Sequence, residues 1–111
     1  MDKFERIRDW ARDRNFMTDA TAAGQFKKFL EEAGELGEAL IDSNEDEIID
    51  GIGDCVVVLT NIALLRGMNI EDCIHHAYKQ IKDRKGLMLK GKFVKYKDLT
   101  DEQKAIVDSR V

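Results

Sequence analysis

Two acidic clusters on consecutive predicted helices are the residues of this chain best suited to chemistry. They read EEAGELGE at positions 31–38 and EIIDGIGD at positions 47–54, and both lie within otherwise apolar helical surface. A charged side chain on an apolar face is costly unless a partner compensates for its lost hydration. The two clusters therefore predict that something binds to them.

The spacing within each cluster brings pairs of carboxylates onto one helix face. Residues three or four apart are neighbours on a helix surface, so Glu32 lies beside Glu35 and Asp50 lies beside Asp54. Carboxylate oxygens from two facing pairs are the hard ligands that Mg²⁺ or Mn²⁺ requires. We therefore predict a metal-dependent phosphate site with these four residues as metal ligands.

The composition favours long helices that would carry these pairs. The chain has 111 residues, of which 43% are hydrophobic and 36% charged, and it contains no proline. This length predicts one domain over residues 1–111, and the residue types predict an all-α fold. We expect a bundle of four main helices plus a short C-terminal helix, over residues 2–14, 19–41, 44–66, 69–85 and 100–109. Residues 87–99 are expected to be irregular or to form a short hairpin.

Helix-capping residues support these boundaries. Thr18 or Asp19 is a candidate cap for the second helix, Asn44 for the third, and Thr100 begins a capping box for the last. Gly34 and Gly37 lie inside the second helix, where glycine lowers helix stability. We expect them to permit a close helix crossing or to leave space beside a ligand, unless they are simply tolerated at a crossing.

Helical periodicity assigns a core face to each long helix. The second helix has the apolar stripe Ala22, Phe26, Phe29, Leu30, Ala33, Leu36 and Leu40, and the third has Ile48, Ile49, Ile52, Cys55, Val56, Leu59, Ile62 and Ala63. The third helix is apolar nearly all round in its middle, which is typical of a helix covered on every side. A second subunit is the natural cover in so short a chain, so we expect a homodimer or homotetramer.

The charge distribution limits the partners. The formal net charge is −4, which argues against a nucleic acid polymer as a general partner. Cationic residues are concentrated in the final third of the chain, and acidic residues are concentrated in the middle. This division suits a ligand that carries both phosphates and a divalent metal.

No segment at the N-terminus resembles a signal peptide. The longest mostly apolar run, residues 55–65, is about half of what a membrane span needs. We therefore expect a soluble cytoplasmic protein with no membrane partner, including one that is phage-encoded and acts in a host cytoplasm. Cys55 and Cys73 are expected to be buried free thiols.

Several motifs together resemble one family. Glu31-Glu32-x-x-Glu35-Leu36, the DGIGD run at 50–54, DRKGLM at 83–88 and GKFV at 91–94 are similar to the MazG-type all-α nucleoside triphosphate pyrophosphohydrolases. The resemblance covers residues 20–98. That family carries E-x-x-E on one helix and E-x-x-D on the next.

The resemblance assigns the ligands residue by residue, with one departure. Glu32 and Glu35 match E-x-x-E, and Asp54 matches the Asp of E-x-x-D. Gly51 stands where the Glu of that second motif belongs. Asp50, four residues before Asp54, is our choice for the substitute, and a second register in which Glu47 and Asp50 form E-x-x-D is ranked lower.

The resemblance implies hydrolysis of a nucleoside triphosphate substrate between its α and β phosphates, with Mg²⁺ (or Mn²⁺) as cofactor. A carboxylate not fully engaged with metal can activate water, and Glu35 or Glu38 is the candidate catalytic residue. Lys79, Lys82 and Lys85 are candidates for binding the triphosphate, although lysines at a helix end are equally common as solvated residues.

Two alternatives remain open at this stage. One is a phosphoribosyl-ATP or dUTP/dCTP-type pyrophosphatase of the same superfamily. The other is a non-catalytic helical interaction or nucleotide-binding module, which Gly51 in the E-x-x-D frame favours.

Other residues have both a structural and a functional interpretation. Trp10 and Phe16 are candidates for stacking on a base, although such residues more often belong to a core. Thr60 and Asn61 can contact a base or bond within the core, and we favour the core. The adjacent histidines at 75–76 point in different directions on a helix, so we expect a surface pair and not a metal site.

Overall fold

A computed structural model describes residues 2–110 of the chain. The elements are α1 (Lys3–Asp13), α2 (Phe16–Asp19), α3 (Ala22–Asp42), α4 (Glu45–Leu65), α5 (Ile70–Ile81), β1 (Gly86–Leu89), β2 (Lys92–Lys95), a 3₁₀ turn (Tyr96–Asp98) and α6 (Asp101–Asp108). The all-α prediction is confirmed, with one two-stranded hairpin between α5 and α6. The chain forms two compact units, residues 1–74 and 75–111.

The predicted start of the second long helix is wrong by a few residues. Residues 16–19 form the separate short helix α2 instead of a connection. The α3 helix is capped by Thr21, whose side-chain oxygen accepts the Gly24 N–H at 3.0 Å. Asn15, with φ 64°, turns the chain between α1 and α2, so capping at Thr18 or Asp19 does not occur.

The helices α3 and α4 form the centre of the first unit. Ser43 and Asn44 join them, and the Asn44 side chain accepts the Glu47 N–H at 3.2 Å as predicted. The two helices approach closely at Gly51, where an added Cβ would lie 3.1 Å from the Cβ of Leu36. Among the described residues of the single chain there is no such crossing at Gly34 or Gly37, because a Cβ at either would meet nothing within 4 Å. The other prediction for these two glycines, space beside a ligand, stays open.

Gly51→Ala is therefore expected to destabilise the first unit. Overpacking of a close contact typically costs about 1–3 kcal/mol, because the added methyl must push Leu36 and α3 away. Gly34→Ala is the matched control, since open space there leaves only the gain in helix propensity of about 0.5–1 kcal/mol. Urea unfolding of both variants measures the difference, and equal stabilisation of both would contradict the packing seen at Gly51.

The helix α1 is attached to the rest of the first unit by a charged contact. Arg8 is buried and donates to both carboxylate oxygens of Glu71, at 2.6 and 2.8 Å. A bidentate pair of this kind is geometrically specific. The contact fixes the start of α5 against α1, and α1 also packs on α4.

Much of the predicted core face of α3 and α4 is exposed in the single chain. Ile49 is 67% exposed, and the other exposed apolar side chains of these helices are Phe26, Leu30, Leu40, Ile41, Ile52, Val56 and Leu59. On α4 the spacing 49, 52, 56, 59 alternates three and four residues, as in a helix seam that packs on another helix. The α4 helix is also long and apolar enough to cross a membrane by length and composition, with mean hydropathy 1.9.

The cysteine prediction is only partly right. Both thiols are free, and Cys55 is half-buried with its pKa raised by burial. Cys73 is exposed, so the expectation that it is buried is wrong. The periodicity of α5 placed Cys73 on an inward face, and that face is exposed in the first unit.

The second unit contains the hairpin and α6. Lys90 and Gly91, with φ 49° and 80°, form its two-residue turn, which is the turn geometry that best matches strand twist. Thr100 and Gln103 form the predicted capping box at the start of α6. The Tyr96 hydroxyl donates to Asp108 at 2.9 Å and attaches the end of the hairpin to α6.

Candidate functional site

An acidic cleft lies between α3 and α4 in the first unit. Its volume is about 340 Å³, and it is lined by Glu35, Glu38, Glu47, Asp50, Gly51 and Asp54. Helical spacing places the two α3 residues one turn apart, and the three α4 acids follow at intervals of three and four residues. The close approach at Gly51 brings the two rows together, so five carboxylates share one small space.

No ion pair of the described residues involves a carboxylate of this acidic cleft. Within residues 2–110, ion pairs involve other acids, and Lys28 is paired with Glu31 at 3.7 Å and Glu32 at 3.2 Å. Like charges held near each other disfavour ionisation unless a cation lies between them. The cleft is therefore chemically suited to a positive ligand.

Asp54 lines the cleft and lies close to other negative charges. Its pKa is raised above the ordinary value of 3.8, first by partial desolvation and then by the negative charges of Glu32 and Asp50. A hydrogen bond with Glu32 also raises this pKa, and Lys28 opposes the shift. A bound cation would favour the ionised form of Asp54 and reverse the direction of the shift.

Glu32 does not line the cleft, although its negative charge acts on Asp54. It is 7% exposed and is paired with Lys28 one turn earlier on α3. This salt bridge accounts for the burial of the Glu32 carboxylate. Lys28 also has a raised pKa, chiefly because it donates a hydrogen bond to Glu32.

A second cavity adjoins the cleft at Asp54. Its volume is about 330 Å³, and it is lined by Trp10, Phe16, Gln25, Lys28, Glu32, Asp54, Val57, Val58 and Asn61. The Trp10 and Phe16 rings are 5.5 Å apart between centroids. Aromatic rings beside a few polar groups are typical of pockets for small organic ligands. We call this cavity the aromatic pocket.

Asn61 is the most unusual residue of the aromatic pocket. It is 2% exposed, and within residues 2–110 its Oδ1 atom has no hydrogen-bond partner. An unpaired buried amide oxygen costs stability, and native structures rarely keep one without a reason. Thr60 differs, because its hydroxyl donates to the Val56 carbonyl at 2.7 Å and is satisfied within the core.

The donor set of the cleft consists of carboxylates alone. In the described part of the chain, no group of three or more His, Cys, Asp or Glu side chains is gathered closely enough to hold a metal ion. The donors are nevertheless all carboxylate oxygens, the type that Mg²⁺ and Mn²⁺ prefer. The residue types that line the cleft therefore fit such an ion.

The structure brings together most of the acids predicted from the sequence. Glu35, Glu38, Asp50 and Asp54 all line the cleft. Glu47 lines it as well, so both registers of the second motif stay open. His75 and His76 are exposed, as expected of a surface pair.

The predicted phosphate-binding lysines belong to the other unit. Lys79, Lys82 and Lys85 are exposed in residues 75–111, so their role stays a prediction. Gln25 and Lys28, which line the aromatic pocket, were not predicted from the sequence. For Lys28 a usable pattern existed, because it lies four residues before Glu32 and such pairs interact on a helix.

Comparison with known proteins gives the following matches. The family model described as MazG nucleotide pyrophosphohydrolase domain matches residues 21–87, more than half of the chain. An "Uncharacterized 18.2 kDa protein in rep-hol intergenic region" of Haemophilus phage HP1 is 44% identical over 59 residues, which are 53% of this chain and 36% of the phage protein. The chain thus covers less than half of that relative's length. No solved structure matches the present chain.

Proposed function

Because this chain belongs to the MazG nucleotide pyrophosphohydrolase family, we propose that it hydrolyses a nucleoside or deoxynucleoside triphosphate between the α and β phosphates. One water is consumed, the α–β anhydride bond breaks, and the products are a nucleoside monophosphate and pyrophosphate. The observation that carries this proposal is the position of Asp54, which borders both the acidic cleft and the aromatic pocket.

The two cavities suit the two ends of such a substrate. A base can stack on Trp10 or Phe16, and the buried amide of Asn61 supplies a polar atom that lacks a partner until a ligand provides one. The triphosphate would then extend past Asp54 toward the cleft. This arrangement fits a nucleotide better than an inorganic phosphate, which would not use the aromatic pocket.

The cofactor we propose is Mg²⁺, with Mn²⁺ as a substitute, held by Glu32, Glu35, Asp50 and Asp54. When bound, the ion would neutralise charge on the phosphates and stabilise charge that develops as the anhydride breaks. Glu35 or Glu38 would accept a proton from the attacking water. Lys79, Lys82 and Lys85 remain our candidates for binding the triphosphate.

We further propose that the protein is a homodimer or homotetramer through the exposed apolar strip of α3 and α4. On α4 the apolar residues of this strip alternate at three and four residues, as they do where two helices pack together. The side chains of the strip are exposed to water in the single chain. A continuous apolar patch of this kind is more often an interface than free surface. A cytoplasmic location suits an enzyme that acts on nucleotide pools.

Ile49→Glu tests this interface. A charge in the centre of the seam should dissociate the oligomer, whereas the single chain should tolerate it because Ile49 is 67% exposed. Light scattering after size-exclusion chromatography measures the mass. Met68→Glu is the control, since Met68 is exposed but lies in the loop after α4. An unchanged mass for Ile49→Glu would mean that this strip is not the interface.

A non-catalytic nucleotide-binding module is the second candidate. Gly51 in place of a motif carboxylate favours it, although the contact with Leu36 provides a packing reason for this glycine. Turnover distinguishes the candidates. The protein is incubated with Mg²⁺ and a panel of NTPs, dNTPs and phosphoribosyl-ATP, and we expect one nucleoside triphosphate to be hydrolysed preferentially. A preference for phosphoribosyl-ATP would favour the related pyrophosphatase. No turnover of any substrate would favour the non-catalytic module.

A further inference from the structure

The second unit concentrates positive charge around its hairpin. Residues 79–97 contain eight cationic side chains and one carboxylate, Asp83, although the whole chain has a net charge of −4. Among the described residues, none of the ion pairs involves these eight cations. Their charges are therefore available to an anionic ligand.

Five of the eight cations line two cavities within this unit. The larger, about 740 Å³, is lined by Asp83, Arg84, Lys85, Phe93, Lys95, Tyr96 and Lys97, and the other, about 410 Å³, by Lys82, Asp83, Arg84, Lys85, Gly86, Leu87, Val107 and Arg110. Residues 83–85 line both cavities. We call the two cavities together the basic groove. Its cations are spread over more space than one phosphate group occupies.

The groove contains an aromatic ring held in a fixed position. Phe93 pairs with Met88 and is two residues from Lys95, which pairs with Gly86. A Cβ on Gly86 would lie 2.6 Å from the Cζ atom of Phe93, so the ring lies across the glycine. Phe93 is still 47% exposed. The hairpin therefore presents a flat apolar surface among cations.

The base of this groove is braced. The Tyr96 N–H donates to the Lys85 carbonyl at 2.9 Å and extends the pairing of the two strands. The Tyr96 hydroxyl is bonded to Asp108, and the Lys104 ammonium lies 5.4 Å from the centre of the Tyr96 ring. A groove fixed in this way needs little ordering when a ligand binds.

We propose that the basic groove binds the backbone of a single-stranded nucleic acid, with one base stacked on Phe93. Cations that follow the phosphates together with an aromatic platform are the two features that sequence-independent single-strand binding requires. An acidic peptide would contact the cations but would not need the Phe93 ring. A free phosphate would contact neither the ring nor the full length of the groove. The uneven charge distribution thus changes the expectation drawn from net charge alone.

Fluorescence anisotropy with a short labelled oligothymidylate tests the proposal. The full chain is titrated in EDTA, so that no step depends on a metal or on the proposed hydrolysis. Phe93→Leu keeps an apolar side chain on Gly86 and should weaken binding about tenfold by removing base stacking. Lys95→Gln should lower the slope of log affinity against log salt by about 0.7. Lys27→Gln, an equal charge change on α3, should alter neither.

Three results would overturn the proposal. They are no binding by the wild-type chain at low salt, equal binding by all three variants, and loss of triphosphate turnover in Lys95→Gln. In the last case Lys95, which is not among the lysines proposed for the triphosphate, would serve the substrate. Turnover without strand binding contradicts only this proposal, whereas strand binding without turnover contradicts only the proposed function.

Discussion

Asp54→Asn is expected to lower turnover by at least about a hundredfold while leaving the fold intact. Loss of a residue that supports a metal typically costs 10- to 100-fold, and Asp54 would hold the metal directly and also borders the aromatic pocket. In wild-type protein, Mg²⁺ should raise the melting temperature, because it binds the native state only. The variant should lose this rise, and Asp13→Asn on α1 is a control that should keep it.

The same substitution should stabilise the metal-free protein near neutral pH. The raised pKa of Asp54 means that the folded state holds this proton more tightly than the unfolded state. This contribution to stability is therefore greatest below 3.8 and falls as pH rises through the raised folded pKa. In EDTA, the melting temperature should fall less with rising pH for Asp54→Asn than for the wild-type protein. A variant that loses stability at pH 7 without metal would contradict the repulsion inferred here.

Asn61→Leu is expected to separate stability from nucleotide binding. Replacing a buried amide that has an unpaired oxygen by an apolar side chain of similar size should be neutral or stabilising by about 1 kcal/mol. The same change removes the polar contact proposed for the base, so the KM for the preferred nucleotide should rise about ten- to a hundredfold.

Thr60→Val is the matched control for that experiment. Thr60 is fully buried next to Asn61 but donates to the Val56 carbonyl, so its loss should affect stability and leave KM nearly unchanged. Steady-state kinetics with urea unfolding on both variants gives the comparison. If Asn61→Leu destabilises the protein and leaves KM unchanged, Asn61 is a core residue and the aromatic pocket is not a base site.

Local sequence patterns were sufficient to predict the helices and most of the residues that line the acidic cleft. Capping residues act within one turn, so Asn44 and the Thr100 capping box were predictable. Carboxylates at helical spacing were predictable for the same reason, because the helix period alone places Asp50 and Asp54 together.

Properties that depend on two segments could not be predicted in this way. The close approach at Gly51 depends on where Leu36 lies on the facing helix. Glu32 matches the motif, yet its side chain pairs with Lys28 and does not line the cleft. Periodicity identifies an apolar helix face but not the surface that packs on it. The exposure of Ile49 in the single chain could therefore not be predicted.

Product analysis is the most direct test of the central claim. The preferred triphosphate is incubated with the protein and Mg²⁺, and nucleotides and phosphate species are separated and quantified, with Asp54→Asn in parallel. We expect equal amounts of nucleoside monophosphate and pyrophosphate, and little of either from the variant. Nucleoside diphosphate with orthophosphate, or equal turnover by the variant, would contradict it.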